Sequence, residues 1–103
     1  MKKGDMFLYI SKTIGVEPDI FVKMHDDTIE VQGIETSRFI RNSALVATLI
    51  SNYEPALNDC WAISDRFFNE QLANGSFRPI SDIREAEAIV ADLGMELRKV
   101  EMF

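Results

Sequence analysis

The apolar positions of the chain form short, dense runs in its first third and longer periodic stretches after that. Residues 5–11 hold Phe7, Leu8, Tyr9 and Ile10 in succession, which predicts a strand buried on both faces. Residues 13–19, punctuated by Gly15 and Pro18, predict a connection. Residues 20–24 and 28–33 then predict two strands flanking His25-Asp26-Asp27, a short hairpin turn. In the second run Ile29 and Val31 alternate with Glu30 and Gln32, the period of a strand with one wet face.

Residues 37–50 carry two patterns at once. Phe39, Ile40, Ala44, Val46, Ala47 and Ile50 suit a helix capped by Thr36 or Ser37. The stretch ALVATLI suits a buried strand equally well, because Val, Thr and Ile favour sheets; the helix is the preferred reading. Residues 55–73 predict a long helix, with Pro55 in its first turn and Leu57, Cys60, Trp61, Phe67, Phe68 and Leu72 as apolar positions. It closes at Asn74-Gly75. Residues 76–80 predict a short strand that Pro79 confines to a sheet edge. A further helix starts at the N-cap candidate Ser81, has Ile83, Ala86, Ile89, Val90 and Leu93 as its apolar face, and is followed by the C-cap candidate Gly94. Residues 95–103 fit a closing strand or a helical extension. The order of elements predicts an α+β fold: a small antiparallel sheet of three to five strands with two or three helices packed on one face.

Length and composition narrow the class. The 103 residues leave room for one domain spanning 1–103, since domains run from about 50 to 250 residues. Hydrophobic residues make up 47% and charged residues 27%, values that suit a folded rather than a disordered chain. The net charge of −6 argues against direct binding to nucleic acid or to anionic membranes, which attract a positive surface. A single cysteine excludes an intrachain disulfide and points to a reducing compartment. The apolar run 6–10 is too short for a signal segment, and no stretch approaches the ~20 apolar residues that span a bilayer. A cytoplasmic location is the expectation.

Candidate chemistry is sparse. One Cys and one His cannot build the multi-ligand sites that zinc requires, and no metal or cofactor is expected. Cys60 sits on the apolar face predicted for its helix and reads as a small buried hydrophobe. His25, beside two aspartates in a predicted turn, reads as a surface residue. Glycine-rich phosphate loops are missing. The seventeen Asp and Glu residues are dispersed and interrupted by arginines, which suits solvated faces better than a catalytic pair or a mimic of a phosphate track. The chain is therefore not expected to be an enzyme.

What remains is the aromatic helix. On a helical wheel the apolar residues of 55–73 spread over roughly 180°, wider than the ~100° stripe that one packing contact needs. Trp61, Phe68 and Leu72 lie on one edge of this face, Ile63, Phe67 and Ala56 on the other, with Ser64 and Gln71 between. One lobe packs inside and the other meets a partner, or both are buried between the sheet and another helix. The first arrangement predicts a non-catalytic interaction protein: a regulator, inhibitor or adaptor that occludes a partner's surface. Inhibitors that phages and mobile elements direct at host factors have this size and charge. Its contact residues would be Trp61, Ile63, Ser64, Phe67, Phe68 and Gln71, its partner a protein, and its own state a homodimer. The alternative is a pocket protein that sequesters a nucleotide-like or other small molecule through Arg38, Arg41 or Arg66, with Trp61 or Tyr53 stacking.

Overall fold

Strand β1 (Met6–Tyr9) takes the middle of the sheet because it is apolar on both faces: Phe7 and Leu8 are consecutive, point to opposite sides and are both fully buried. It pairs antiparallel with β2 (Asp19–Lys23) on one edge, Phe7 opposite Phe21 and Leu8 opposite Ile20. The computed structural model describes residues 1–42 and 60–97, and for Cys60 the backbone alone. On its other edge β1 pairs antiparallel with β6 (Phe77–Ile80), which ends the strand order among the described residues. Pro79 therefore sits where a missing N–H is tolerated, as its sequence position predicts.

The longest strand among the described residues, β4 (Ile34–Arg41), pairs with three others there. Thr36 faces Ile29 of β3 (Ile29–Val31) and Ser64 of β5 (Cys60–Ser64), while Phe39 faces Lys23 of β2 and Trp61 of β5. A strand has two edges, so β5 holds one of them. Strands β2 and β3 lie end to end along the other. Among the described residues the result is a six-stranded antiparallel sheet, one strand more than the upper end of the expected range.

Among the described residues two helices pack on this sheet, and they pack on opposite faces. Helix α1 (Asp65–Ala73) brings Phe68 and Leu72 against Phe7, Phe21, Phe39, Ile63 and Phe77. Helix α2 (Ile83–Asp92) brings Ala86 and Val90 against Leu8, Ile20 and Ile80. The expectation of helices on one face is corrected by the alternation of β1 and β2. Each of these strands carries a buried apolar side chain on both sides, and each side requires a cover. The α1 side is unusually aromatic: Phe7 stacks on Phe21 (5.2 Å, 9°) and meets Phe39, Phe68 and Phe77 at 5.0, 5.4 and 4.3 Å. Offset and edge-on ring pairs of this kind add about 0.5–1.5 kcal/mol each beyond the area they bury.

Three further expectations are corrected. His25-Asp26-Asp27 does not turn a hairpin, because β2 and β3 pair with β4 and not with each other. The hairpin is β3–β4, closed by Gln32 (φ 52°) and Gly33 (φ 79°) in the left-handed conformations of a type I′ turn. Residues 37–41 belong to a strand, and Thr36 is inside it, its hydroxyl donating to the Ile34 carbonyl at 3.1 Å, rather than capping a helix; residues 43–50 lie outside the described ones. The helix expected over 55–73 is a strand through Ser64 and a helix only from Asp65; residues 55–59 also lie outside the described ones. At α2 the cap is Asp82, whose Oδ1 accepts from the Glu85 N–H at 2.9 Å, while Glu85 Oε2 accepts from the Ser81 N–H at 2.8 Å. This is the reciprocal logic of a capping box, shifted one residue from the expected Ser81. Gly94 (φ 70°) follows α2 as expected. Residues 95–97 are neither strand nor helix, and 98–103 lie outside the described residues. No helix among the described residues is long and apolar enough to cross a membrane.

Candidate functional site

The strand-to-helix joint at Ser64 shapes the site. Ser64 is extended (φ −67°, ψ 149°), and its Oγ accepts from the Phe67 N–H at 3.2 Å, so the chain leaves β5 and enters α1 within one residue. Trp61 and Ile63 alternate along β5, directly across from Phe39 and Ser37 and on the same side of the sheet as they are, the side that α1 covers. The helix does not cover it all. Beside α1 a cleft of about 540 Å³ remains, lined by Tyr9, Phe21, Trp61, Phe67 and Phe77 with Val31 and Ile34 of the β3–β4 hairpin.

The five rings form one continuous wall. Trp61 meets Phe21 edge-on at 5.3 Å, Phe21 meets Tyr9 at 6.1 Å, Tyr9 meets Phe77 edge-on at 5.6 Å, and Phe77 meets Phe67 edge-on at 6.0 Å. Phe21 and Phe77 are buried and anchor the wall, whereas Trp61 is 44% and Phe67 47% exposed. Val31 and Ile34 are 44% and 54% exposed, so four exposed large apolar side chains share this cleft. The polar groups among its described lining are uncharged: Gln32, Thr36, Ser64 and Gln71, besides the Tyr9 hydroxyl.

A cation, Arg41, borders the wall. The Arg41 guanidinium lies 4.5 Å from the Trp61 ring centroid and 5.9 Å from that of Phe21. Its Nε is 3.9 Å from Asp19 Oδ2, and Asp19 in turn accepts from the Ile20 N–H at 2.8 Å. Asp19, Phe21 and Arg41 share one side of the sheet by the β1–β2 and β2–β4 registers. A guanidinium stacked on an indole fixes the ring's orientation at an energy of about 0.5–2 kcal/mol.

Of the residues singled out from the sequence, Trp61, Ile63, Ser64, Phe67 and Gln71 all line this cleft. Phe68 does not; it turns into the core against Phe7, Phe39 and Phe77. The arginine set proposed for a small-molecule pocket is not brought together. Arg38 and Arg41 are three apart on one strand and so project from opposite faces, and Arg66 is an exposed residue paired with Glu70 at 3.3 Å. Tyr53 lies outside the described residues. His25 is exposed, in the segment between β2 and β3. Sequence reasoning missed Tyr9, Phe21 and Phe77, which stand on three strands far apart in the chain. Only strand register unites them, and no local pattern encodes it. Comparison of the chain with protein-family models, with curated proteins and with solved structures finds no match.

Proposed function

We propose that the chain is a non-catalytic binding protein whose aromatic cleft receives apolar side chains of a protein partner, a second copy of the chain included. The carrying observation is the convergence of Trp61, Phe67, Val31 and Ile34, all exposed, on one concave wall without a charged group among its described lining. Soluble proteins seldom leave aligned aromatic surface in water unless something covers it, and Trp is among the residues that dominate binding energy at protein interfaces. The concavity refines the expectation of simple occlusion: a partner inserts an anchor rather than lying flat. This reading supports regulation or inhibition by occupancy, with no bond made or broken.

The same volume favours a second reading. A cleft of about 540 Å³ is within the ~300–1,000 Å³ range of small-molecule sites, and an uncharged aromatic lining suits a flat apolar ligand rather than a nucleotide. One experiment separates the two. Trp61→Asp and Phe67→Asp are compared with the wild type by sedimentation velocity across a wide concentration range, with circular dichroism as the check on folding. Loss of self-association or of a defined partner complex in folded variants supports the protein-binding reading. Assembly unchanged in both folded variants, together with thermal stabilisation of the wild type by small aromatic ligands, supports the second reading instead.

A further inference from the structure

A second cleft, of about 310 Å³, lies on the same side of the sheet and shares only Ile63 and no other described residue with the aromatic one. Its lining is polar: Lys23, Thr28, Ser37, Asp65 and Asn69, over an apolar floor that includes Phe39 and Phe68. Lys23 is 5% exposed, an unusual position for an ammonium group. Its Nζ donates to the Met1 carbonyl at 2.7 Å and to the Asp26 carbonyl at 3.4 Å. Among the described residues no carboxylate pairs with it. An ammonium has three donors, of which partners among the described residues take two, and a buried charge without a counter-charge is strongly disfavoured unless one is supplied.

Met1, with the N-terminal ammonium, also lines the cleft, and Asp65 supplies a charge of the opposite sign. Asp65 opens α1, where the helix dipole favours an anion. A simple anion placed against Lys23 would share the cleft with this carboxylate. A small zwitterion satisfies both. We propose that this cleft binds a small molecule carrying a carboxylate and an ammonium group, of the free α-amino acid class. The carboxylate pairs with Lys23, the ammonium pairs with Asp65, and Ser37, Thr28 and Asn69 supply neutral hydrogen-bonding groups. The volume, at the low end for ligand sites, restricts the ligand to a small one.

The full chain is titrated with glycine, L-alanine and L-serine, with acetate, methylammonium and inorganic phosphate as single-charge controls. Binding is followed by amide chemical shifts and by melting temperature. At least one amino acid is expected to raise the melting temperature and to shift the amides of Lys23, Ser37 and Asn69, with Trp61 emission unchanged. Lys23→Met should weaken that binding at least tenfold. Asp65→Asn, at an exposed position, should remove at least tenfold of the preference for the amino acid over acetate, and it decides the matter if Lys23→Met fails to fold. No response to any amino acid overturns the proposal. So does equal binding of acetate or phosphate by the wild type, or full affinity in Lys23→Met. A response confined to the amides around Trp61 and Phe67 also overturns it, and assigns the ligand to the aromatic cleft.

Discussion

Phe67 and Phe68 are neighbours in one helix, and the structure gives them opposite roles. Phe68 contacts Phe7 at 5.4 Å, Phe39 at 5.8 Å in a stacked pair and Phe77 at 5.7 Å. Phe67 is 47% exposed and, among the described residues, touches one ring, Phe77, edge-on at 6.0 Å. Truncating a fully buried Phe to Ala costs about 3–5 kcal/mol. Phe68 keeps a little solvent exposure but loses three ring pairs, so Phe68→Ala should cost about 3–4 kcal/mol. Phe67→Ala forfeits about half of one side chain's transfer energy and a single ring contact, or about 1–2 kcal/mol. Urea unfolding followed by circular dichroism measures both. With a slope of about 1–3 kcal/mol per molar urea, a difference near 2 kcal/mol separates the two midpoints by about 1 M. Equal losses, or a larger loss at Phe67, would refute the orientation of α1 and with it the cleft that this orientation leaves open.

Other substitutions probe single features. In the β3–β4 turn, Gly33→Ala places a side chain at φ 79° and should lower stability by about 1 kcal/mol, whereas Gln32→Asn, better suited to φ 52°, should raise the melting temperature. Asp82→Ala removes the cap of α2 and should cost about 1 kcal/mol in the same urea assay, with Asp82→Ser recovering most of it. Arg41→Met removes the cation stacked on the only tryptophan, so Trp61 fluorescence anisotropy should fall and its emission shift to the red; an unchanged spectrum would contradict the stacking.

How much of this was legible in the sequence varies with the range of the interaction that decides each element. Strand β1, the edge strand with Pro79 and helix α2 were readable because local signals agree: a dense β-forming run, a proline, a cap and a closing glycine. The element carrying Trp61 was misread because Trp61, Phe68 and Leu72 fall on one helical edge even though Trp61 and Ile63 also fit a period of two. Its decisive signal was present: Ser64-Asp65 is a helix start, with the cap hydroxyl and the acid of the first turn side by side. The misplaced hairpin has a different cause. Asp26 looks like a turn residue, yet its Oδ1 accepts from the Lys3 N–H at 2.8 Å and its carbonyl from Lys23. It ties the start of the chain to the sheet, a long-range role that local propensity does not encode. The aromatic wall was half legible for the same reason. Trp61 and Phe67 stood out as surplus apolar residues, while Tyr9, Phe21 and Phe77 join them only through register.

The central claim, that the aromatic cleft and not mere apolar exposure is what a partner recognises, can be tested by photo-crosslinking. A photoreactive phenylalanine analogue is placed at Phe67, inside the cleft, and in parallel at Ile14, which is fully exposed but outside it. Each protein is irradiated alone and in an extract of its source cells. The account predicts a discrete adduct, with a second copy or with one defined protein, from position 67 and not from position 14, and its loss when Trp61→Asp is added. The same products from both positions, or none from position 67, would contradict it.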